Sequence, residues 1–369
     1  MTTPPAISTS NPPPPEGSPP PGPLHSALGR LAAGIYRSLT NLRNGWYDVN
    51  PGRRADRPVI SVGNLSAGGT GKTPAVVHLV TCLKDAGRRP AIALRGYKSA
   101  TANPADSDEA LQYQRLLPGI PLAVGKDRLA EIKVLLTTSK GSAVDCIVLD
   151  DGFQHRQLRR DCDLVLVDAT RNPFLDHQLP AGWLREPVQG LRRADAVIIT
   201  HAESVSPSAL ASLEGSIADA TGKPPLAVTR HTWTAILTGE GTTLRTLPST
   251  FLKGRRIVLA CAIGNPAPFL RHAQSQATVA TSFLLPDHDP FSQQTAITIR
   301  NAAKTSDADA ILITEKDWSK LRDRPAEFWP CPVLRPRLAL TFDRGARELE
   351  DLVMGRVKAW KRAAPSTPP

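Results

Sequence analysis

GNLSAGGTGKTP, residues 63–74, follows the short β-rich run VISVGNL and precedes PAVVHLVTCLKDAG, whose apolar residues recur at helical spacing up to a glycine stop. A glycine-rich loop between a buried strand and a helix aims backbone N–H groups and a helix N-terminus at one point, and that point suits phosphate. The usual phosphate loop reads G-x-x-x-x-G-K-[ST]; here Ser66 stands where its first glycine belongs, so a wider loop is expected. The expected cradle is Ser66, Ala67, Gly68, Gly69, Thr70, Gly71, Lys72 and Thr73. Lys72 would reach the β- and γ-phosphates of a nucleotide, and the Thr73 hydroxyl would take Mg²⁺.

Beyond the loop, PAIALRGY, DCIVLDD, CDLVLVDAT and ADAVIIT are compact aliphatic runs bounded by polar or turn residues. Continuous rather than alternating hydrophobicity marks strands covered on both faces, hence an α/β fold with a mostly parallel sheet and helices on both faces; with the glycine-rich loop after its first strand, it resembles the P-loop nucleotide triphosphatases. CIVLDDGFQHR then supplies the acidic strand end such a site needs, because Mg²⁺ prefers carboxylate and phosphate oxygens. Asp150 and Asp151 are the candidate metal ligands; the structural alternative is a capping pair.

Past residue 206 the pattern stays α/β, with RRIVLACAIG and ADAILITEKDW as further buried runs, so a smaller second α/β domain is expected over 226–344 and the first over 49–225. LAVTRHTWTAI and VLRPRLALTF alternate apolar with polar and could pair as a two-stranded link, returning a C-terminal helix within 345–362 to the first domain. Residues 1–23 and 363–369 are Pro-rich and poor in large apolar side chains, which predicts disordered tails.

Residues 24–48 read as an amphipathic helix. Leu24, Leu28, Leu31, Ile35, Leu39 and Leu42 share a narrow stripe, with Arg30 and Arg37 opposite. The stripe either packs on the body of the protein or lies in a membrane interface with Trp46 and Tyr47 at headgroup depth. No run approaches the ~20 apolar residues of a spanning helix, and no secretory signal opens the chain. The 45 basic and 34 acidic residues leave a net charge of +11, which suits an anionic partner: a nucleic acid, a phospholipid surface or a phosphorylated substrate. The 5 cysteines are scattered without a C-x-x-C pair, so neither a disulfide framework nor a zinc site is suggested and a reducing cytosol fits.

Taken together, GNLSAGGTGKTP, RGY (95–97), SDE (107–109), VGKDR (124–128), DDGFQHR (150–156), LPAGWLREP (179–187), RADAVIIT, AIGNP (262–266), PDH (286–288) and TEKD (314–317) resemble one family, the tetraacyldisaccharide 4'-kinases. DDGFQHR and LPAGWLREP are the specific pieces. The resemblance implies transfer of the ATP γ-phosphate to the 4'-hydroxyl of tetraacyldisaccharide 1-phosphate, giving lipid IVA in lipid A biosynthesis. It also implies a monomer held peripherally on the cytoplasmic face of the bacterial inner membrane by its N-terminal helix.

It further implies a catalytic Asp108 assisted by His288, with Lys72 and Arg185 neutralising phosphate charge and Glu186 joining the Mg²⁺ shell. Without it, Asp108 would read as a helix cap and His288 as a surface histidine. Arg95, Tyr97, Arg128, Gln154 and His155 are the expected substrate contacts, Arg128 for the lipid's 1-phosphate. Lys316 of TEKD has no assigned step. A GTPase switch or metallochaperone is the competing reading, but T-E-K-D places its lysine one position later than the guanine-reading [NT]-K-x-D, and the C-x-C metal-transfer site is missing. A nucleic-acid module lacks any RNA-binding or helix-turn-helix signature, and its aromatic content of 5% is sparse for base stacking.

Overall fold

The computed structural model describes Gly17 and residues 22–24, 26–96, 107–239, 243–287 and 289–361. Apart from Gly17, Gly22 and Pro23, the Pro-rich tail lies outside them, as does the segment 363–369. The described residues divide into two compact units, one built from those within 17–231 and 340–361 and the other from those within 232–339.

The larger unit opens with α1 (Ala27–Val49), capped by Ser26, whose hydroxyl accepts from the Gly29 amide at 3.2 Å. The buried runs then form β1 (Val59–Asn64), β2 (Pro90–Leu94), β3 (Leu122–Val124), β4 (Cys146–Asp150), β5 (Cys162–Asp168) and β6 (Ala196–Thr200). Together with the start of β7 (Ala227–Thr238) they stand in the order β7-β6-β5-β1-β4-β2-β3, every pair parallel. β1, β2, β4, β5 and β6 are buried throughout, as their unbroken aliphatic character requires. The register sets Val62 beside Asp150, so the phosphate loop and the acidic strand end leave the sheet side by side at its C-terminal edge.

The crossover helices are α2 (Lys72–Asp85), α3 (Asp108–Leu116), α4 (Arg128–Thr137) and α5 (Pro207–Thr221). α5 covers one face with Leu213 and Ile217, packed among Phe153, Val165 and Ile199.

In the smaller unit β8 (Arg245–Pro248) pairs antiparallel with the end of β7, and β9 (Arg256–Cys261) is flanked by β10 (Thr278–Leu284) and β11 (Ala310–Leu312), both parallel to it. α6 (Ala267–Gln276), α7 (Gln293–Thr305) and α8 (Glu315–Leu321) cover these strands. The two alternating segments of the sequence are β7 and β12 (Val333–Arg344), neighbours in the sheet order. After β12, α9 (Ala346–Ala359) buries Leu349, Val353 and Val357 in the same cluster as Val76, Leu79, Val80 and Leu83 of α2.

α1 attaches to the larger unit by its polar side. Tyr36 donates to the Arg185 carbonyl at 2.9 Å, Arg43 to the Gln154 carbonyl at 2.6 Å and Asn44 to Glu186 at 3.3 Å. The apolar stripe points away: Leu28, Leu31, Ile35, Leu39 and Leu42 are between 59% and 72% exposed, and Trp46 and Val49 extend the exposed row. Packing of that stripe on the protein body is therefore excluded. Among the described residues no helix is long and apolar enough to cross a membrane.

Candidate active site

The phosphate loop runs from the end of β1 to Lys72, the first residue of α2. Gly68 and Gly71 hold left-handed backbone, with φ of 111° and 78°. A Cβ on Gly71 would also press into the His231 ring at 2.4 Å, so this position admits only glycine. Ser66 is buried, and it takes its place through an isolated antiparallel bridge to Leu184. Ala67 donates to the Trp183 carbonyl at 2.7 Å and Arg185 to the Leu65 carbonyl at 2.8 Å. The loop's first limb is thereby stitched to the LPAGWLREP segment, which brings Arg185 and Glu186 alongside it.

Lys72 Nζ lies 3.1 Å from Asn64 Oδ1 and 3.3 Å from Asp151 Oδ1. Asn64 is fixed in turn by donating to the Ser66 carbonyl at 2.6 Å. Asp151 occupies left-handed backbone, φ 51°, at the end of β4, and it accepts two hydrogen bonds from Arg185 at 2.7 and 2.9 Å. The next residue must be glycine, because a Cβ on Gly152 would meet Leu149 and Ser61 at 2.6 Å. This turn presents one aspartate to the cations and leaves the other against the core.

The two carboxylates diverge accordingly. Burial alone would push Asp151 up, but Lys72 and Arg185 outweigh it and hold its carboxyl below the usual range. Burial pushes Asp150 up, and the charge of Asp151 adds to it against the pull of Lys72. Asp150 Oδ2 accepts from the Tyr113 hydroxyl at 2.9 Å, whereas its Oδ1 is buried without a hydrogen-bond partner. An orphaned carboxylate oxygen next to a Lys-Thr loop is an arrangement a hard cation completes, and the donors converging here are oxygens. The chemistry of the site therefore fits Mg²⁺, which the free oxygen of Asp150 would help hold, with Thr73 next to Lys72 at the start of α2.

Glu186, expected to join the metal shell, is held here by three side chains. Its oxygens are taken by Arg193 at 2.6 Å, Gln154 at 2.8 Å and Asn44 at 3.3 Å, and the residue is 1% exposed. It orients Gln154, which also donates to the Asn64 carbonyl at 2.8 Å and faces Arg185 through its Oε1 at 3.4 Å.

Arg128, the first residue of α4, is buried and donates to His155 Nδ1 at 3.1 Å. Because a guanidinium can only donate, Nδ1 accepts and the ring proton sits on Nε2. Burial, then the Arg128 and Arg160 charges, push the His155 imidazole down to about 4. Burial also lowers Arg128, with Arg95 close enough to add like-charge repulsion. Arg95 itself is exposed just past β2. Asp108 begins α3, but the cap is Ser107, which is buried and accepts from the Ala110 amide at 3.3 Å. The same helix carries Tyr113 to Asp150. Tyr97 and His288 lie outside the described residues.

Three groups at the loop carry no sequence signal. Thr200 donates to the Thr70 carbonyl at 3.0 Å, His201 pairs with Asp168 at 3.2 Å, and the His231 ring lies 4.1 Å from that of His201. Burial opposes charge on both members of the pair, but each outweighs it for the other, so Asp168 is held low and His201 raised. Burial and the His201 charge push His231 well down.

In the smaller unit, TEKD is a helix cap. Thr314 accepts from the Asp317 amide at 3.2 Å and donates to Asp317 Oδ2 at 2.6 Å, while the Ala262 amide donates to that carboxylate at 3.0 Å. With its carboxylate committed inside the fold, Asp317 is not a guanine reader. Lys316 pairs with Asp287 at 3.0 Å.

Residues 25–354 match the family model described as LpxK, tetraacyldisaccharide-1-P 4'-kinase. The tetraacyldisaccharide 4'-kinase of Anaeromyxobacter dehalogenans (strain 2CP-C) is 39% identical over 322 residues, 82% of this chain and 83% of the relative. That of Parabacteroides distasonis is 36% identical, over 79% of this chain and 83% of the relative. Among solved structures, LpxK from Aquifex aeolicus, described as in complex with ATP, superposes with a TM-score of 0.65 at 27% identity, covering 89% of this chain and 98% of that one. Neither the relatives nor the TEKD geometry favours a nucleotide switch. By its sequence and its fold, this chain belongs to the LpxK family of tetraacyldisaccharide-1-P 4'-kinases.

Proposed function

We propose that the chain transfers the γ-phosphoryl group of ATP to the 4'-hydroxyl of a tetraacyldisaccharide 1-phosphate held at a membrane surface. The observation that carries this reading is the convergence of Lys72, Arg185, Asp151 and the half-satisfied Asp150 on the loop at the start of α2. Phosphoryl transfer asks for placement and charge neutralisation more than for covalent chemistry. Lys72 and Arg185, prepositioned on Asp151, supply positive charge for the phosphate oxygens. Thr73 and Asp150 would hold Mg²⁺, which would supply further charge neutralisation for the phosphate oxygens. Gly68, Gly71 and the α2 N-terminus direct amides to the same place.

Asp108 takes the proton from the sugar hydroxyl, with His288 as its assistant. Arg128, Arg95, Tyr97 and His155 bind the disaccharide, Arg128 offering a guanidinium to the 1-phosphate. Neutral His155 holds that guanidinium through its Nδ1 and leaves Nε2–H as a donor. The described residues within 17–231 and 340–361 then form the kinase domain and those within 232–339 the second domain.

The exposed apolar stripe of α1 is the second support. A water-facing row of leucines that attaches to the body by its opposite side is a surface for the acyl–headgroup boundary. Contacts of Tyr36 and Asn44 with the Arg185–Glu186 segment set this helix next to the phosphate site, so the acceptor need not leave the bilayer. The chain would act as a monomer on the inner face of the bacterial inner membrane.

The test is phosphorylation of tetraacyldisaccharide 1-phosphate in mixed micelles, with the product located by mass spectrometry. One phosphate gained with ATP, and none on an acceptor whose 4'-hydroxyl is blocked, is the expected result. Unmodified lipid from folded protein, or a strict preference for GTP, would overturn it.

A further inference from the structure

Away from the phosphate site, α2 and α9 bring together three side chains that neither the reaction nor the family motifs use: His78, Cys82 and Glu350. His78 and Cys82 stand at i and i+4 on α2, so they share one helix face, and α9 sets Glu350 opposite them. Cys82 Sγ lies 3.4 Å from His78 Nε2 and 3.5 Å from Glu350 Oε1, and one donor atom from each residue falls within 4.8 Å of the other two. In a tetrahedral zinc site, bonds of about 2.3 Å to sulfur and about 2.0–2.1 Å to nitrogen or oxygen separate sulfur from its neighbours by roughly 3.5 Å. The two sulfur edges here already have that length.

We propose that His78, Cys82 and Glu350 form a binding site for a borderline-soft divalent cation, Zn²⁺ by preference, with water in the fourth position. A thiolate, an imidazole and a carboxylate select zinc-like ions over Mg²⁺, so the site does not compete for the metal of phosphoryl transfer. His78 is half-buried against Phe342, ring centres 4.7 Å apart, which limits its rotation. Glu350 is exposed, which leaves the site open to an entering ion. In the metal-free protein burial and Glu350 push the Cys82 thiol up to about 12, so the thiol proton leaves as the ion binds. The bound ion would tie the far end of the phosphate-loop helix to the last helix of the chain.

The test is a titration of the full chain with Co²⁺, followed by its absorption. Thiolate ligation gives an intense sulfur-to-cobalt charge-transfer band together with tetrahedral d–d bands; an all-oxygen magnesium site gives neither. One equivalent of such cobalt, displaced by Zn²⁺, is expected for the wild type. Loss of the band in Cys82→Ser, and weakening in Glu350→Gln by at least the roughly tenfold that losing even an outer partner costs, complete the expectation. Both substitutions are small and partly or fully exposed, and circular dichroism checks their folding. No charge-transfer band in the wild type, or a band that persists in folded Cys82→Ser, overturns the site.

Discussion

Asp150 and Asp151 are adjacent, yet their surroundings give them different work. Asp151 turns out of the strand in left-handed backbone and meets two cations, whereas Asp150 stays buried with one oxygen on Tyr113 and one unclaimed. Replacing Tyr113 by Phe removes the hydroxyl that donates to Asp150 Oδ2 in a buried place. A loss of about 1–3 kcal/mol is expected in urea unfolding, with a higher Mg²⁺ requirement for turnover. His155 supplies a pH dependence. Its folded pKa of about 4 lies below the ordinary 6.5, so the unfolded chain binds more protons between those values. Stability should therefore fall as pH drops from about 6.5 to about 4 and level off below, and His155→Gln should flatten that limb in pH-dependent denaturation. At this scale the sequence was partly legible. Loop and acid pair could be read from local spacing, but Tyr113 on Asp150, Arg193 on Glu186 and His231 against Gly71 are contacts between residues distant in the chain, made by folding alone.

Among the elements, β1, β4, β5 and β6 were readable because strands covered on both faces must be aliphatic throughout. β3, three residues long, is too short to show a period, and β10 is only partly buried, so its composition signals no core strand. α1 shows the opposite limit. Its amphipathic pattern is the same whether the apolar face meets protein or lipid, and only the contacts of Tyr36, Arg43 and Asn44 reveal which side faces the body. Since Leu31 and Leu42 are 66% and 72% exposed, a Leu31→Glu, Leu42→Glu protein should unfold within about 0.5 kcal/mol of the wild type. Its sedimentation with phospholipid vesicles should be lost. Undiminished vesicle binding would remove α1 as the anchor.

For the whole molecule, a net charge of +11 and an exposed apolar helix combine two weak attractions to an anionic bilayer. Binding to vesicles containing anionic lipid should weaken as salt rises from 0.01 to about 0.15 M, where the screening length shortens from about 30 to about 8 Å. A residual, salt-resistant part should remain on neutral vesicles, carried by the stripe of α1. The same positive charge was visible in the sequence but could not choose among nucleic acid, lipid and phosphorylated substrate; the placement of α1 beside the Arg185–Glu186 segment gives the lipid its physical support. Transfer of γ-labelled phosphate from ATP to tetraacyldisaccharide 1-phosphate, compared among the wild type, Lys72→Ala and Asp150→Asn at matched folding, addresses the account most directly. Label in the lipid with wild type, and a loss on the order of a thousandfold or more in each variant, is the predicted result; variants that transfer label at the wild-type rate would contradict it.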